Sequence, residues 1–441
     1  MLTKTERLFL QAVAAAVRDR EVSWQGGVAA GEWQELFVLA GQHKLLPMVL
    51  EAVYHCTAFH SLSQQERKLY QKQAAMQVLM QTIRTQEYGN LLEFLKKEGL
   101  HPLTVKGIVC RRLYPQPELR TSADEDMLIL PQERERYHRV LLSYGMHAAH
   151  IGEKHKKDVL SEEFSYVSNH SSLRVELHTA LFPIKNEPFQ GWNTCFIQVW
   201  EQDQTVTAGN FNVRTMGATD HLFYLICHML KHFLHSGFGI RQVCDLMLFA
   251  ETYGEEISWE KVYQQCEQIH AFSFVRAVFL IAEEYLYLDR KKSCLPEVFL
   301  EKEADPEPLL KDILSAGIYG NADSERIHSS VMTLGAFTGP GNYERGVWRE
   351  WRHLLFPSYK ELKNRYAILL RFPWMLPGVW VIRFLHYRKE TIRERAVPWK
   401  NAVETLQMGK ERMLLLKQYG LLTENHTETG SIHFPEVTEK I

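Results

Sequence analysis

Two aspartates separated by one residue are the strongest sign of chemistry in the sequence. Asp124 and Asp126 open the segment DEDMLIL, in which residues 127–130 are all apolar. Side chains two positions apart on a β-strand point to the same face, so the two carboxylates are predicted to project together. Like charges side by side destabilise a strand, whereas Mg²⁺ binds oxygen ligands and keeps phosphate oxygens as further partners. The pair therefore predicts a divalent cation site for a phosphate-bearing substrate.

The acidic run Asp124-Glu125-Asp126 could instead lie in a surface turn, and the tripeptide alone would favour that alternative. The apolar residues 127–130 argue against a turn, because they place the aspartates at the mouth of a strand that enters a core. A third carboxylate comes from residues 172–178, where apolar positions alternate with Arg174, Glu176 and His178. Three carboxylates on neighbouring strands can hold two metal ions about 3.5–4 Å apart, as phosphoryl and nucleotidyl transfer require.

Residues that could bind phosphate precede the aspartates. Lys106 and Gly107 stand before a short predicted helix; helix N-termini accept phosphates, and glycine allows close backbone approach. Lys106 could also neutralise phosphate charge. Arg120, Thr121 and Ser122 directly precede the acidic pair and could contact phosphate oxygens. Each residue alone is more typical of structure than of function, so the prediction rests on their order along one strand–helix–strand segment.

Histidines recur on one predicted helix downstream, at positions 221, 228, 232 and 235. His228 and His232 are spaced for a zinc pair, but the sequence offers no third ligand or H-E-x-x-H glutamate. A polar face lining the cleft opposite the carboxylates, together with His178, or a hydrogen-bonded packing seam is the favoured interpretation. Arg241 could reach a triphosphate or could pair with Asp245, one turn further on.

The elements that must position these residues suggest an α+β protein. A chain of 441 residues predicts two or three domains. Residues 1–98 are predicted to be helical, 99–215 to form the α+β unit with a small mixed sheet, and 216–335 to be helical again. A basic and aromatic helical segment, 336–422, is interpreted as packed on the α+β unit, with a membrane-surface, nucleic-acid or carrier contact as the alternative. A polar tail, predicted to be flexible, closes the chain at 423–441.

Composition narrows the class of protein. Hydrophobic residues make up 45% and charged residues 24%, which is typical of globular chains. A formal net charge of −2 does not favour a dedicated nucleic-acid binder, although a local basic groove is compatible with it. The seven scattered cysteines form no C-x-x-C pair, which favours a reducing, cytoplasmic location. The charged N-terminus is not typical of a signal peptide, and no apolar run is long enough for a transmembrane segment.

One segment resembles a known family. TVKGIVCRRLYPQPELRTSADEDMLIL, residues 104–130, is similar to the K-G, Y-P, R and D-x-D signature of the uncharacterised nucleotidyltransferase family within the DNA polymerase β-like superfamily. Further similarity covers residues 39–49, the third-carboxylate strand at 173–181, the H-x-x-x-H and G-I-R segment at 228–249, and the tail at 356–380.

The resemblance implies a polymerase β-like palm that transfers a nucleotide from an NTP with Mg²⁺ or Mn²⁺. Asp124, Asp126 and Glu176 would be the catalytic carboxylates and metal ligands. The acceptor hydroxyl would belong to a small molecule, a protein side chain or an RNA end, and the near-neutral charge favours the first two. The alternatives are a non-catalytic nucleotide-sensing or partner-binding module on the same fold, and a helical scaffold with an incidental acidic strand.

Overall fold

The structure is a computed structural model with two compact units, Met1–Ala322 and Asp323–Ile441. It describes residues 1–24, 27–149, 163–184, 189–235, 237–301, 305–317, 359–362, 366, 371–382 and 409–421. The glycine-rich segment 334–343, the tail 423–441 and most of the basic and aromatic segment fall outside the described residues. The predicted boundaries between domains stay predictions.

Four helices account for the apolar periodicity of residues 1–98. They are α1 (Lys4–Ala16), α2 (Ala30–Gln42), α3 (Leu46–Val53) and α4 (Gln64–Lys97). Ser63 caps α4: its hydroxyl accepts from the Glu66 N–H, and Glu66 in turn accepts from the Ser63 N–H. This reciprocal cap satisfies amide groups that would otherwise lack partners at the start of the helix.

A small mixed sheet of five strands follows α4. Its strands are β1 (Leu103–Val105), β2 (Glu125–Leu128), β3 (Met146–Ala148), β4 (Glu163–Ser168) and β5 (Arg174–His178), in the spatial order β1-β2-β5-β4-β3. The central pair β2–β5 is parallel and the other pairs are antiparallel. Helix α5 (Gly107–Arg111) follows β1, and α6 (Arg134–Tyr144) follows β2. Because β2 begins at Glu125, Asp124 lies just before the strand rather than on it.

A hairpin of β6 (Asp203–Ala208) and β7 (Phe211–Met216) lies beside β1. The hydroxyl of Thr215 on β7 donates to the carbonyl of Thr104 on β1 at 2.6 Å. The hairpin therefore covers the outer edge of the sheet, whose backbone groups would otherwise lack partners.

Six helices complete the described part of the first unit. They are α7 (Ala218–His235), α8 (Ile240–Tyr253), α9 (Trp259–Gln268), α10 (Phe272–Leu286), α11 (Arg290–Ser293) and α12 (Glu307–Ala316). The hydroxyl of Thr219, inside α7, accepts from the Ser258 N–H and links α7 to the start of α9. Helices α7 and α8 are buried over most of their surface, which makes them a rigid wall beside the sheet. Within the described ranges, no helix combines the length and the apolar character needed to cross a membrane.

The second unit is described in part. It contains the short helix α13 (Tyr359–Leu362) and helical residues 376–382 and 409–418. Leu362 and Val379 are buried in a small cluster of aromatic and aliphatic side chains.

Candidate functional site

A cavity of about 900 Å³ opens between α4, the β2–β5 pair, and helices α7 and α8. Every residue predicted from the sequence as a carboxylate ligand or phosphate contact lines it: Asp124, Asp126, Glu176, Lys106, Gly107, Arg120, Thr121, Ser122 and Arg241. His178, His228 and His232 line it as well. The fold thus brings together residues that are more than 130 positions apart in the chain.

Asp126 is the centre of the charged network in this cavity. Its Oδ2 lies 2.9 Å from Nζ of Lys106, and its Oδ1 accepts from Nε2 of His178 at 2.9 Å. Burial alone would raise the pKa of Asp126, but the Lys106 ammonium and the His178 hydrogen bond outweigh burial and lower it. Asp126 is therefore ionised and already holds two nitrogen donors.

Glu176 lies directly across from Asp126 in the parallel β2–β5 pair. Burial, followed by the charges of Asp126 and Asp124, raises the pKa of Glu176 to about 7. Burial and the neighbouring Asp126 also raise the pKa of Asp124. These three carboxylates repel one another, so a cation placed among them would relieve an existing repulsion.

One group of side chains is close enough to share a metal ion. A carboxylate oxygen of Asp126, one of Glu176 and a ring nitrogen of His178 all lie within 4.8 Å of one another. The sequence predicted Asp124, Asp126 and Glu176 as the ligands; His178 joins the last two in this group, and Asp124 lines the same cavity. Carboxylate oxygens suit Mg²⁺ and Mn²⁺, so the donor set fits such an ion. Binding it through Oδ2 of Asp126 would require Lys106 to release that oxygen, while His178 keeps its bond to Oδ1.

Lys106 occupies a strained turn between β1 and α5. Its φ of 55° and ψ of −123° place a side-chain-bearing residue in a backbone region that favours glycine. The backbone N–H of Lys106 donates to Nε2 of His221 at 3.2 Å. Its ammonium lies 2.9 Å from Nε2 of His228, which in turn lies 3.0 Å from Nε2 of His232. The turn therefore directs the ammonium between the sheet and α7.

His221 supports the turn as a neutral side chain. The Thr215 hydroxyl donates its hydrogen to the Thr104 carbonyl. Its oxygen therefore accepts from Nδ1–H of His221 at 3.1 Å. Nε2 is then left as the acceptor for the Lys106 N–H. Burial is the main reason that the pKa of His221 falls to about 3. Of the two interpretations of the histidine helix, His221 fits the packing seam, while His228 and His232 fit the cleft wall.

Glu125, between the two aspartates, faces away from the cavity. It is 2% exposed and binds the 1% exposed Arg111 guanidinium. Its Oε2 also accepts from the Ile108 N–H at 2.7 Å, and a Cβ on Gly107 would overlap this oxygen. Gly107 therefore admits the Glu125 carboxylate, and the Ile108 amide at the N-terminus of α5, a region that the sequence offered to phosphate, is bonded to Glu125. The direction of Glu125 follows from the alternation of β2, which sends it to the face opposite Asp126.

Arg120 is fixed by Asp245 rather than by a local partner. Its Nε and Nη2 donate to the two oxygens of Asp245 at 3.1 and 2.6 Å, and the Tyr114 hydroxyl donates to the same carboxylate at 2.8 Å. Nη1 of Arg120 is buried without a hydrogen-bond partner among the described residues. The helical spacing of Arg241 and Asp245 suggested an ion pair, but Arg241 donates to the Thr121 carbonyl instead.

Thr121 and Ser122 are also engaged within the protein. The Thr121 hydroxyl donates to the Lys44 carbonyl at 3.2 Å, and the Ser122 N–H donates to Oε1 of Gln81 on α4 at 2.8 Å. These bonds fix the loop that carries Asp124 against the turn between α2 and α3 and against α4. The cavity thus contains a set of carboxylates. Lys106 and the α7 histidines lie on one side of these carboxylates, and the arginines lie on the other.

Comparison with known proteins completes this description. No curated protein and no solved structure matches the chain. The family described as "Uncharacterised nucleotidyltransferase" matches residues 29–287. This range covers more than half of the 441 residues and contains every residue that lines the cavity. The chain therefore belongs to the uncharacterised nucleotidyltransferase family.

Proposed function

We propose that the protein transfers a nucleotide from an NTP to a hydroxyl group of an acceptor, in a reaction that depends on a divalent metal. The observation that supports this most directly is the pairing of Asp126 and Glu176 across β2 and β5, in a cavity that also contains Asp124 and Lys106. We further propose that the small mixed sheet is a polymerase β-like palm, since its central strands carry these carboxylates.

Asp124, Asp126 and Glu176 hold the metal in this proposal, with His178 orienting Asp126. A bound Mg²⁺ or Mn²⁺ would neutralise charge on the attacking and leaving oxygens. The acceptor oxygen forms a bond to the α-phosphorus, the bond from that phosphorus to the bridging α–β oxygen breaks, and pyrophosphate leaves. The hydroxyl proton passes to the Glu176 carboxylate, which acts as the general base.

The triphosphate is assigned to the cations around the carboxylates. Lys106, once released from Asp126, binds phosphate oxygens from the side of α7. Arg120 has an unpartnered buried Nη1 within the described part of the chain, and Arg241 has an unpartnered Nε, so both retain donors for phosphate. The backbone at Gly107, Thr121 and Ser122 positions these cations. His228 and His232 close the wall behind Lys106.

A second candidate is a non-catalytic module that senses a nucleotide or binds a partner. The observation that favours it is the occupation of both Asp126 oxygens by Lys106 and His178, an arrangement that is stable without metal. Such a module would bind an NTP without transferring it.

Calorimetric titration of each NTP, with and without Mg²⁺ or Mn²⁺, tests the proposal. We expect metal-dependent binding by the wild type, weakened by about tenfold or more in Asp126→Asn and Glu176→Gln because a charged ligand is lost. Glu163→Gln is the matched control, since Glu163 lines the same cavity from β4 and is outside the proposed ligand set. Absence of binding for every NTP would overturn the proposal.

Turnover separates the enzyme from the sensing module. The chain is incubated with an α-³²P-labelled NTP and a fractionated cell extract, and the products are separated by chromatography. A new labelled product that is lost in Glu176→Gln supports transfer. Metal-dependent NTP binding with no labelled product in any fraction supports the module.

A further inference from the structure

Arg84 on α4 is a half-buried cation that the proposed reaction does not use. Its Nε donates to the Ser172 hydroxyl at 2.8 Å and its Nη1 to the Ser122 carbonyl at 2.7 Å. Among the described residues, no carboxylate lies within 4 Å of this guanidinium. Burial and the neighbouring Arg111 lower the pKa of Arg84. A partly buried charge that no carboxylate contacts directly is costly, so an anion in the cavity would stabilise this arrangement.

Arg174 lies at the same end of the cavity. It begins β5, and the register of β2 and β5 pairs Glu125 with Val175, which brings Asp124 and Arg174 to adjacent positions. Nη1 of Arg174 donates to the Ser165 hydroxyl at 3.4 Å, and within the described ranges its guanidinium also has no carboxylate within 4 Å. Two guanidinium groups thus flank the Asp124 end of the carboxylates, whereas Lys106 contacts Asp126.

The α4 wall beside Arg84 is apolar. Met76 and Met80 line the cavity, and with Arg84 they follow at intervals of four residues, so all three share one face of the helix. This face extends for about 12 Å along the cavity, since an α-helix rises about 1.5 Å per residue. One end of this face can contact an uncharged group, and the other end carries the Arg84 cation.

We propose that Arg84 and Arg174 bind an anionic group of the acceptor, while Met76 and Met80 contact its apolar part. The inference rests on the proposed nucleotidyl transfer and names the class of acceptor: a molecule with a phosphate or carboxylate group next to an apolar portion. The triphosphate has its own cations in Lys106, Arg120 and Arg241. A second set of cations beyond the carboxylates therefore calls for a second anion, and the acceptor is the other reactant.

Hexyl phosphate is the probe, because it combines a dianion with an apolar chain. It is titrated by calorimetry into the full-length chain, alone and saturated with Mg²⁺ and the α,β-methylene analogue of the NTP that binds. Inorganic phosphate and hexanoate are titrated in parallel. We expect hexyl phosphate to bind in both states, about tenfold more tightly than inorganic phosphate because its methylene groups are buried. Tighter binding of hexanoate than of hexyl phosphate would identify a carboxylate as the anionic group.

Charge-removing variants locate the bound anion. Arg84→Gln and Arg174→Gln should each weaken hexyl phosphate binding by about tenfold, the loss expected for a charged hydrogen-bond donor, and leave the NTP affinity within about twofold. Lys72→Gln removes the same charge from an exposed position on α4 and should change neither affinity. These results together would support the acceptor site.

Two results would overturn the inference while leaving nucleotidyl transfer in place. One is competition between the NTP analogue and hexyl phosphate, with Arg84→Gln weakening both equally, since these arginines would then hold the triphosphate. The other is absence of hexyl phosphate binding in the presence of tight NTP binding. Binding of hexyl phosphate that depends on Arg84, in a chain that binds no NTP, would support the anion site and overturn nucleotidyl transfer instead.

Discussion

Nζ of Lys106 lies 2.9 Å from Oδ2 of Asp126, where it neutralises the carboxylate at the centre of the proposed metal site. A metal ion bound by Asp126 must displace this ammonium, and a triphosphate would offer the ammonium a new partner. Metal and nucleotide are therefore expected to bind together more tightly than either binds alone. Lys106 links the two binding events because it contacts Asp126, which the metal ion needs as a ligand, and carries the positive charge that binds the triphosphate.

Replacement of Lys106 tests this link. Lys106→Met should raise the affinity for Mn²⁺ without nucleotide by about tenfold, because a charged hydrogen bond no longer competes for Asp126. The same variant should bind NTP more weakly, since a phosphate contact is lost. Electron paramagnetic resonance of free Mn²⁺ measures the first effect directly. Lys231→Met is the control, because Lys231 also lines the cavity from α7 but is not the cation bound to Asp126. Unchanged Mn²⁺ affinity in Lys106→Met would contradict the displacement.

Gly107 is predicted to be intolerant of any side chain. It has a φ of +32°, and an added Cβ would overlap the Glu125 carboxylate. Gly107→Ala should therefore lower the free energy of unfolding by roughly 1–3 kcal/mol, the usual cost of overpacking a buried site. Gly31→Ala is the matched control, because a Cβ at this position of α2 meets nothing within 4 Å. Urea denaturation measures both changes, and equal stability of the two variants would contradict the close approach of Glu125.

Asp245 is predicted to be a main determinant of stability beside the cavity. Its carboxylate is buried and accepts two hydrogen bonds from Arg120 and one from Tyr114. Asp245→Asn would leave a buried guanidinium without its counter-charge, at a cost of roughly 3–5 kcal/mol. Asp203→Asn breaks the more exposed pair with Arg214 and should cost roughly 0.2–1 kcal/mol. Urea denaturation of both variants measures the difference, and a loss for Asp245→Asn as small as the loss for Asp203→Asn would show that Arg120 is not dependent on this carboxylate.

Acid is predicted to destabilise the fold through His43. Nε2–H of this buried side chain donates to the Leu314 carbonyl at 3.2 Å, and Nδ1 accepts from the Ile240 N–H at 3.2 Å, which fixes the neutral ring. Burial lowers the pKa of His43 from 6.5 to about 4. Because the unfolded chain then binds more protons, this contribution to stability is complete above about pH 6.5 and is lost as the pH falls towards 4. The full loss amounts to about 3 kcal/mol.

His43→Gln removes this titrating group while keeping an amide donor near the position of Nε2. The free energy of unfolding, measured by urea denaturation from pH 7 to pH 5, should fall less steeply in the variant than in the wild type. Equal slopes over this range would show that His43 is protonated equally in the folded and unfolded chains.

The carboxylates could be predicted from the sequence because their signal is local. Alternation with a period of two placed Asp126 and Glu176 on strand faces without knowledge of the rest of the fold. The parallel pairing of β2 and β5 then put both on one side of the sheet, at matching positions.

The partners of the buried charges could not be predicted, because they depend on contacts distant in sequence. Asp245 is bonded to Arg120, which is 125 residues away, whereas helical spacing had suggested its neighbour Arg241. In the same way, no local pattern shows that His178 lies within reach of Asp126, 52 residues earlier. The first pairing arises only when α8 packs beside the loop that carries Arg120, and the second only when β2 and β5 pair, so the sequence carries no separate signal for them.

The backbone at Lys106 has a consequence for the evolution of the cavity. Its left-handed φ of 55° costs a side-chain-bearing residue of order 1–3 kcal/mol, and glycine would adopt it without that cost. Selection for stability alone would therefore replace this lysine with glycine. A lysine in this conformation lowers the thermodynamic stability of the fold, and the same conformation holds its ammonium against the Asp126 carboxylate.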